Sequence, residues 1–289
     1  MNAELKQMFS TLKLKHAMNS YEGLASDPAL LSKLSLDEAL CTIFSEEINS
    51  REGNRRKMLM KLAKIPLLSD LKDVAYDEER GQGFVKIMAS LKSMEWIMNG
   101  MNLCIYGASG TGKSWLASAI ASEAVRRGMP ALYANASDLL AELVDRKSQG
   151  RRACASARKS LLGKRLLVID DFCLRAPDEE EQNVLFDVLN DRLGKRSTLV
   201  TSQKDRNLWI EDMGVTPIAE AIAERLCANA WSLTLGGQVQ ARRRPRLSQP
   251  GIPGPRPCGA SRGAFCAHRN YDYNGHYCNY DKHYQWSAP

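Results

Sequence analysis

Apolar residues along this chain follow two different periods. In the first sixty residues they recur at helical spacing. Leu5, Met8, Phe9, Leu12 and Leu14 predict a short amphipathic helix, and Leu36, Leu40, Ile43, Phe44 and Ile48 predict a longer one. Asp27-Pro28 and Ser35-Leu36-Asp37-Glu38 carry helix-start chemistry, an acceptor side chain ahead of proline or of an acidic first turn. The longer helix is expected to continue into a basic stretch, Arg51, Arg55, Arg56, Lys57, Lys61 and Lys64, until Pro66 stops it. Residues 67–100 read as a connector. In it Tyr76 and the turn Gly81-Gln82-Gly83 precede a helical pattern of Phe84, Ile87, Met88, Leu91, Trp96 and Ile97, closed by Gly100.

From residue 101 onward the pattern changes to short unbroken apolar runs alternating with helical periods. Met101 to Tyr106, Ala131 to Ala134, Leu166 to Ile169 and Thr198 to Thr201 resemble strands buried on both faces, as a parallel sheet covered by helices requires. Between them an Ala-rich helix is predicted from Ser114 to Arg127, ended by Gly128 and Pro130. A second, Asp138 to Lys147, is expected to be capped by Ser137, and a polar Arg-rich segment follows it. A third begins after Pro177 and presents Val184, Leu185, Val188 and Leu189. The fold class is therefore α/β: a parallel five-stranded sheet flanked by helices, preceded by a small all-α segment. The expected divisions are 1–66, 67–241 and 242–289.

Composition alters this picture mainly at the C-terminus. The net charge of the 289 residues is +7, yet residues 242–289 hold eight Lys/Arg against two acids, which leaves +1 for the body. The basic character of the whole chain thus says nothing about the body's partners; local clusters must. Two stand out: Arg51 to Lys64, and Arg146 to Arg165, where eight cations occur without an acid. Neither interleaves aromatics, so contacts to duplex phosphates fit better than base stacking, with Arg51, Arg55, Arg56, Lys57, Arg151, Arg152, Arg158 and Lys159 as candidates. The tail opens Arg242-Arg243-Arg244-Pro245-Arg246, holds six of the 11 prolines and lacks periodicity, so it is expected to be disordered or an aberrant ending. Its Cys258, Cys266, His268, His276, Cys278 and His283 contain no C-x₂₋₄-C pair, so no zinc finger is expected. Cys41, Cys104, Cys154, Cys173 and Cys227 are scattered and read as reduced thiols. With no leader-like segment and no membrane-length apolar run, the expectation is a cytoplasmic protein with no membrane contact.

The candidate chemistry is concentrated at the strand ends. Gly107-Ala108-Ser109-Gly110-Thr111-Gly112-Lys113-Ser114 fits G-x-x-x-x-G-K-[ST], between a strand and a helix. Such a loop turns its amides inward onto phosphates, its lysine reaches the β- and γ-phosphates, and its final hydroxyl ligates Mg²⁺. The apolar run at 166 ends in Asp170-Asp171, 57 residues after Lys113. In a parallel sheet that strand end lies beside the loop. Asp170 is expected to support the metal through water, and Asp171 to orient or deprotonate the attacking water. Ser202 or Gln203 is placed to lie between γ-phosphate and water. Arg225, near the end of a predicted helix, is either a surface residue at a helix terminus or an arginine finger for a neighbouring subunit.

Together, Gly107 to Ser114, Asp170-Asp171-Phe172, Thr201-Ser202-Gln203 and Glu224-Arg225-Leu226 resemble the AAA+ ATPases of the helicase-loader branch. Ala63-Lys64-Ile65-Pro66 and Gly100-Met101-Asn102-Leu103 make the chain most similar to the IstB-type transposition helpers, over roughly residues 1–235. The resemblance implies an ATP- and Mg²⁺-dependent homo-oligomer that binds double-stranded DNA and assists a transposase. The same residues also fit a DnaC-type helicase loader, or a nucleotide-gated DNA-binding module with negligible turnover. After Leu235 the expected nucleotide-sensing segment gives way to Gly236-Gly237-Gln238-Val239 and the Arg-Pro tail, with Arg242 the one nearby substitute for its arginine.

Overall fold

The computed structural model describes residues 2–67, 69–74 and 82–236. The expectations for Tyr76 and Gly81, for the side chains of Gln82, Gly83 and Phe84, for Gly237-Gln238-Val239 and for the tail from Arg242 lie outside the described residues.

Four helices open the chain: α1 (Ala3–Thr11), α2 (Lys15–Ala25), α3 (Pro28–Leu31) and α4 (Leu36–Leu62). Asp27 caps α3, and Ser35 with Glu38 forms a reciprocal capping box on α4, both as their sequence signals require. The helix α2 lies in the segment expected to be all-α but carries no side-chain cap of its own. Its first amides are instead satisfied from a distance: the Glu47 carboxylate accepts from His16 N at 2.9 Å and Ala17 N at 3.2 Å. Of the five apolar positions that marked α4, only Ile43 is buried. Ala39, Ile43 and Glu47 are buried against α2, while Leu36, Leu40, Phe44 and Ile48 are exposed.

The connector's single predicted helix is two, α5 (Gln82–Ser93) and α6 (Glu95–Met98), separated by Met94 in the left-handed region at φ 61°. Then strand and helix alternate: β1 (Asn102–Tyr106), α7 (Lys113–Arg126), β2 (Ala131–Asn135), α8 (Ala136–Ser148), α9 (Arg151–Leu162), β3 (Leu166–Asp170), α10 (Glu179–Arg192), β4 (Ser197–Ser202), α11 (Arg206–Asp212), α12 (Pro217–Cys227) and β5 (Ala230–Thr234). The cap of α8 is Asn135, whose side chain accepts from Ser137 N, and not Ser137 itself. The polar Arg-rich segment, for which the sequence named no element, is the helix α9, with Leu161 buried against the body.

All strand pairs are parallel, in the order β2-β3-β4-β1-β5. Two apolar cores cover the two faces. One gathers Ile97, Leu103, Ile120, Val168 and Leu199 with Ala63 at the end of α4; the other gathers Cys104, Leu167, Phe172, Val188, Trp209 and Ile222. Arg192, fully buried at the end of α10, locks the lower edge. It donates to the carbonyls of Leu161, Lys164 and Ser197 and to the Thr198 hydroxyl. This order sets β1 beside β4 and β4 beside β3, so the segments leaving those strands emerge side by side.

Candidate functional site

The loop between β1 and α7 has a backbone only glycine supplies cheaply. Gly110 and Gly112 adopt φ of 79° and 88°. Gly107 has φ 153°, and a Cβ there would stand 2.6 Å from the Leu235 carbonyl and 2.8 Å from Thr111 Oγ1. The base of the loop is tied to its neighbours, since Gly107 N donates to Ser202 O and Leu235 N to Tyr106 O. Ala108, Ser109 and Gly110 remain exposed, and the buried Thr111 donates from Oγ1 to Ala108 O at 2.9 Å. Lys113 opens α7 with Ser114 behind it, so both ride on the helix N-terminus, where the backbone dipole favours an anion. The Lys113 ammonium spans the loop, donating to Gly107 O and Ala108 O at 2.8 Å each.

The carboxylates come from the end of β3. Ser114 Oγ donates to Asp170 Oδ1 at 3.0 Å, Tyr133 OH donates to Asp170 Oδ2 at 2.7 Å, and Thr201 Oγ1 donates to Oδ1 as well. Asp171 follows in a left-handed turn, φ 56°, a region aspartate tolerates, with its amide bonded to Thr201 Oγ1 at 3.0 Å. Burial and then the neighbouring Asp170 push the Asp171 carboxyl above the usual carboxylate range, while Lys113 pulls it back. Burial lowers the Lys113 ammonium, opposed by Asp171 and then Asp170. Lys113, Ser114, Asp170 and Asp171 thus share one electrostatic site.

Other expected residues fall elsewhere. Ser202 is fully buried and its hydroxyl is committed: it donates to Phe172 O at 2.7 Å and accepts from Trp209 Nε1 and Lys204 N. That corrects its expected role as a sensor and leaves the exposed Gln203. Arg225 is not part of the site within one chain. Its guanidinium lies 4.3 Å over the Phe186 ring and bonds Asn190 Oδ1 and Ala221 O. Its carbonyl accepts from Asn102 at the start of β1, the end opposite the loop. Among the basic candidates, Arg51 is spent on Glu47 and Lys13 O, Arg56 on Glu52, and Arg158 on Asp187 and Asp191. Arg51 and Arg56 nevertheless stay exposed in pairs one helical turn apart, a weak kind of engagement, whereas Arg158 is half-buried between two acids. Arg55, Lys57, Arg151, Arg152 and Lys159 are exposed. Tyr133 and Thr201, which the sequence reading missed as partners of Asp170, bear no motif; position on strands flanking β3 is their only signal.

The residues fit a magnesium nucleotide. The hydroxyl and carboxylate suited to share the ion are already in contact, and the base of the adjacent loop at Gly107 has no room for a Cβ. Loop, lysine, paired acids and strand order define a P-loop ATPase of the AAA+ type. The profile of the IstB-like ATP binding protein family matches residues 7–248, so the chain belongs to that family and is an ATPase. It is 34% identical over 219 residues to the insertion sequence ATP-binding protein y4pL of Sinorhizobium fredii, covering 75% of this chain and 87% of that one. To the insertion sequence IS21 ATP-binding protein of Pseudomonas aeruginosa it is 28% identical over 235 residues, 81% of this chain and 87% of the other. The crystal structure of DnaI superposes with a TM-score of 0.49 at 20% identity, over 63% of this chain and 97% of its own, a likeness too distant to carry an argument.

Proposed function

We propose that this ATPase is a Mg²⁺-dependent regulator of insertion-sequence transposition: a cytoplasmic homo-oligomer that binds duplex DNA and assists a transposase. The observation that carries the reading is the contact of Ser114 with Asp170 beside Lys113, which makes one site for a metal-bound triphosphate. Bound Mg²⁺ supplies positive charge against the phosphate oxygens. Lys113 exchanges its loop carbonyls for phosphate oxygens, and the amides of Gly107 to Ser114 hold the chain of phosphates. Asp170 keeps the Ser114 hydroxyl turned to the metal side. Asp171 accepts the proton of the attacking water, and Gln203 holds that water in line. Arg225 completes the site of a neighbouring copy, which explains why it lies off the site in its own chain and couples turnover to assembly. Residues 1–66 serve as a helical arm, 67–241 as the ATPase and 242–289 as an appended tail.

Insertion-sequence relatives at 34% and 28% identity, and the exposed cations on α4 and α9, support the DNA and transposase part of the reading. No described helix is long and apolar enough to cross a membrane. The test is size and duplex retention of the full chain with ATP, with ADP and without nucleotide, beside Lys113→Ala. ATP should enlarge the parent assembly on DNA, and the variant should lose that response. A variant that assembles on DNA as the parent does with ATP would sink the coupling.

A further inference from the structure

The phenol of Tyr133 is held at both ends. Its backbone amide donates to the Ala63 carbonyl, the C-cap of α4, at 2.8 Å. Its ring is 6% exposed within the core that also contains Val168 and Ile120. Its hydroxyl donates to Asp170 Oδ2 at 2.7 Å. The strand register explains the reach. Tyr133 stands opposite Val168 and Asn135 opposite Asp170, so Tyr133 and Asp170 are diagonal neighbours on one face of the β2–β3 pair. Ser114 and Thr201 both bond Oδ1; Tyr133 is the side chain on Oδ2 among the described residues.

That division matters for metal binding. A carboxylate with one oxygen fixed by a rigid donor presents the other in a single direction. Without that donor the group is held through Oδ1 alone, by Thr201 and by a Ser114 hydroxyl that must itself turn to the metal, and Oδ2 has no hydrogen-bond donor among the described residues. A partner of this kind outside the ligand set typically changes metal affinity by roughly 10- to 100-fold.

We propose that Tyr133 is a positioning residue for Asp170, an arm from the edge strand that fixes the carboxylate for the magnesium of the bound nucleotide; this rests on the reading of Asp170 as the metal-supporting acid. Acting through Asp170 Oδ2, Tyr133 affects Mg²⁺ dependence and leaves metal-free nucleotide capture alone.

The experiment is a Mg²⁺ titration of fluorescent ATP-analogue binding to the full chain, for the parent, Tyr133→Phe, Tyr133→His and Asp170→Ala. Circular dichroism confirms that each is folded. Tyr133→Phe should need about 10-fold or more Mg²⁺ for half-maximal enhancement, with unchanged affinity in EDTA. Tyr133→His, which keeps a ring N–H, should fall between it and the parent, and it stands in if the Phe variant does not fold. Parent-like Mg²⁺ dependence in the Tyr133 variants, with that of Asp170→Ala abolished, overturns the proposal and leaves the reading of Asp170 intact. If Asp170→Ala also titrates like the parent, the underlying reading falls and the proposal with it.

Discussion

Asp171 is held where its charge is unfavourable to the fold. Its carboxyl sits above its ordinary value of 3.8, first through burial and then through Asp170. A carboxyl raised in the folded state binds its proton more tightly there than in the unfolded chain. At neutral pH, with both states ionised, its charge therefore destabilises the native state, and the penalty disappears only as pH falls below the raised value. Asp171→Asn removes that charge and keeps a residue that accepts the left-handed turn. The expected outcome at pH 7 is a higher Tm together with turnover lowered at least about 10²-fold, read by a thermal scan and by phosphate release. A lower Tm would contradict the electrostatic account. The residues of the candidate site were legible at this scale because Lys113, Ser114 and the loop glycines lie within eight consecutive positions, and Asp170-Asp171 ends an apolar run. Tyr133 and Thr201 were not, because they meet Asp170 across 37 and 31 positions of sequence and resemble any strand residue.

Helix α4 shows what periodicity conveys about an element. Leu36, Leu40, Phe44 and Ile48 recur every four residues, enough to identify a helix, but they do not identify its buried face. The face that packs on α2 carries Ala39, Ile43 and the acid Glu47, because Glu47 caps the amides of His16 and Ala17 and accepts from Arg51. The Arg51 bond first, and the two amides after it, hold the Glu47 carboxyl below its ordinary value of 4.5. A lowered carboxyl contributes stability that is full above the unfolded value and is lost as pH falls through the folded one. Protection of the α2 amides, taken as exchange relative to the intrinsic rate at each pH, should therefore fall on acidification below about pH 4.5 in the parent. In Glu47→Gln that protection should already be low at pH 7 and change little on acidification, as followed by hydrogen–deuterium exchange. Equal protection at pH 7 in both would remove Glu47 as the clasp. The capping box at Ser35 was readable from four adjacent residues, whereas the start of α2 depends on an acid thirty positions away.

Over the whole molecule, the strand order assembles the site and the ion pairs decide which charges remain for a partner. With Arg51, Arg56 and Arg158 engaged by acids, the candidate DNA surface reduces to Arg55, Lys57, Arg151, Arg152 and Lys159. Five phosphate contacts imply a log–log salt slope of about −4.5, and Arg151→Ala with Arg152→Ala should flatten it by roughly 2. Fluorescence anisotropy of a labelled duplex between low and moderate salt measures both. A slope indifferent to the double variant would remove α9 from the interface, whereas Arg158→Ala is expected to act on the α9–α10 joint more than on the slope. By itself the sequence determined the α/β class, the strand and helix alternation, the phosphate loop and the acid pair, because each is specified by neighbouring residues through backbone geometry and side-chain period. Tertiary structure alone decided the exposed face of α4, the anchoring of Asp170 by Tyr133 and Thr201, the burial of Ser202 and the pairing of basic residues. Those depend on groups distant in the chain meeting where water has been excluded, and local pattern carries no record of that meeting.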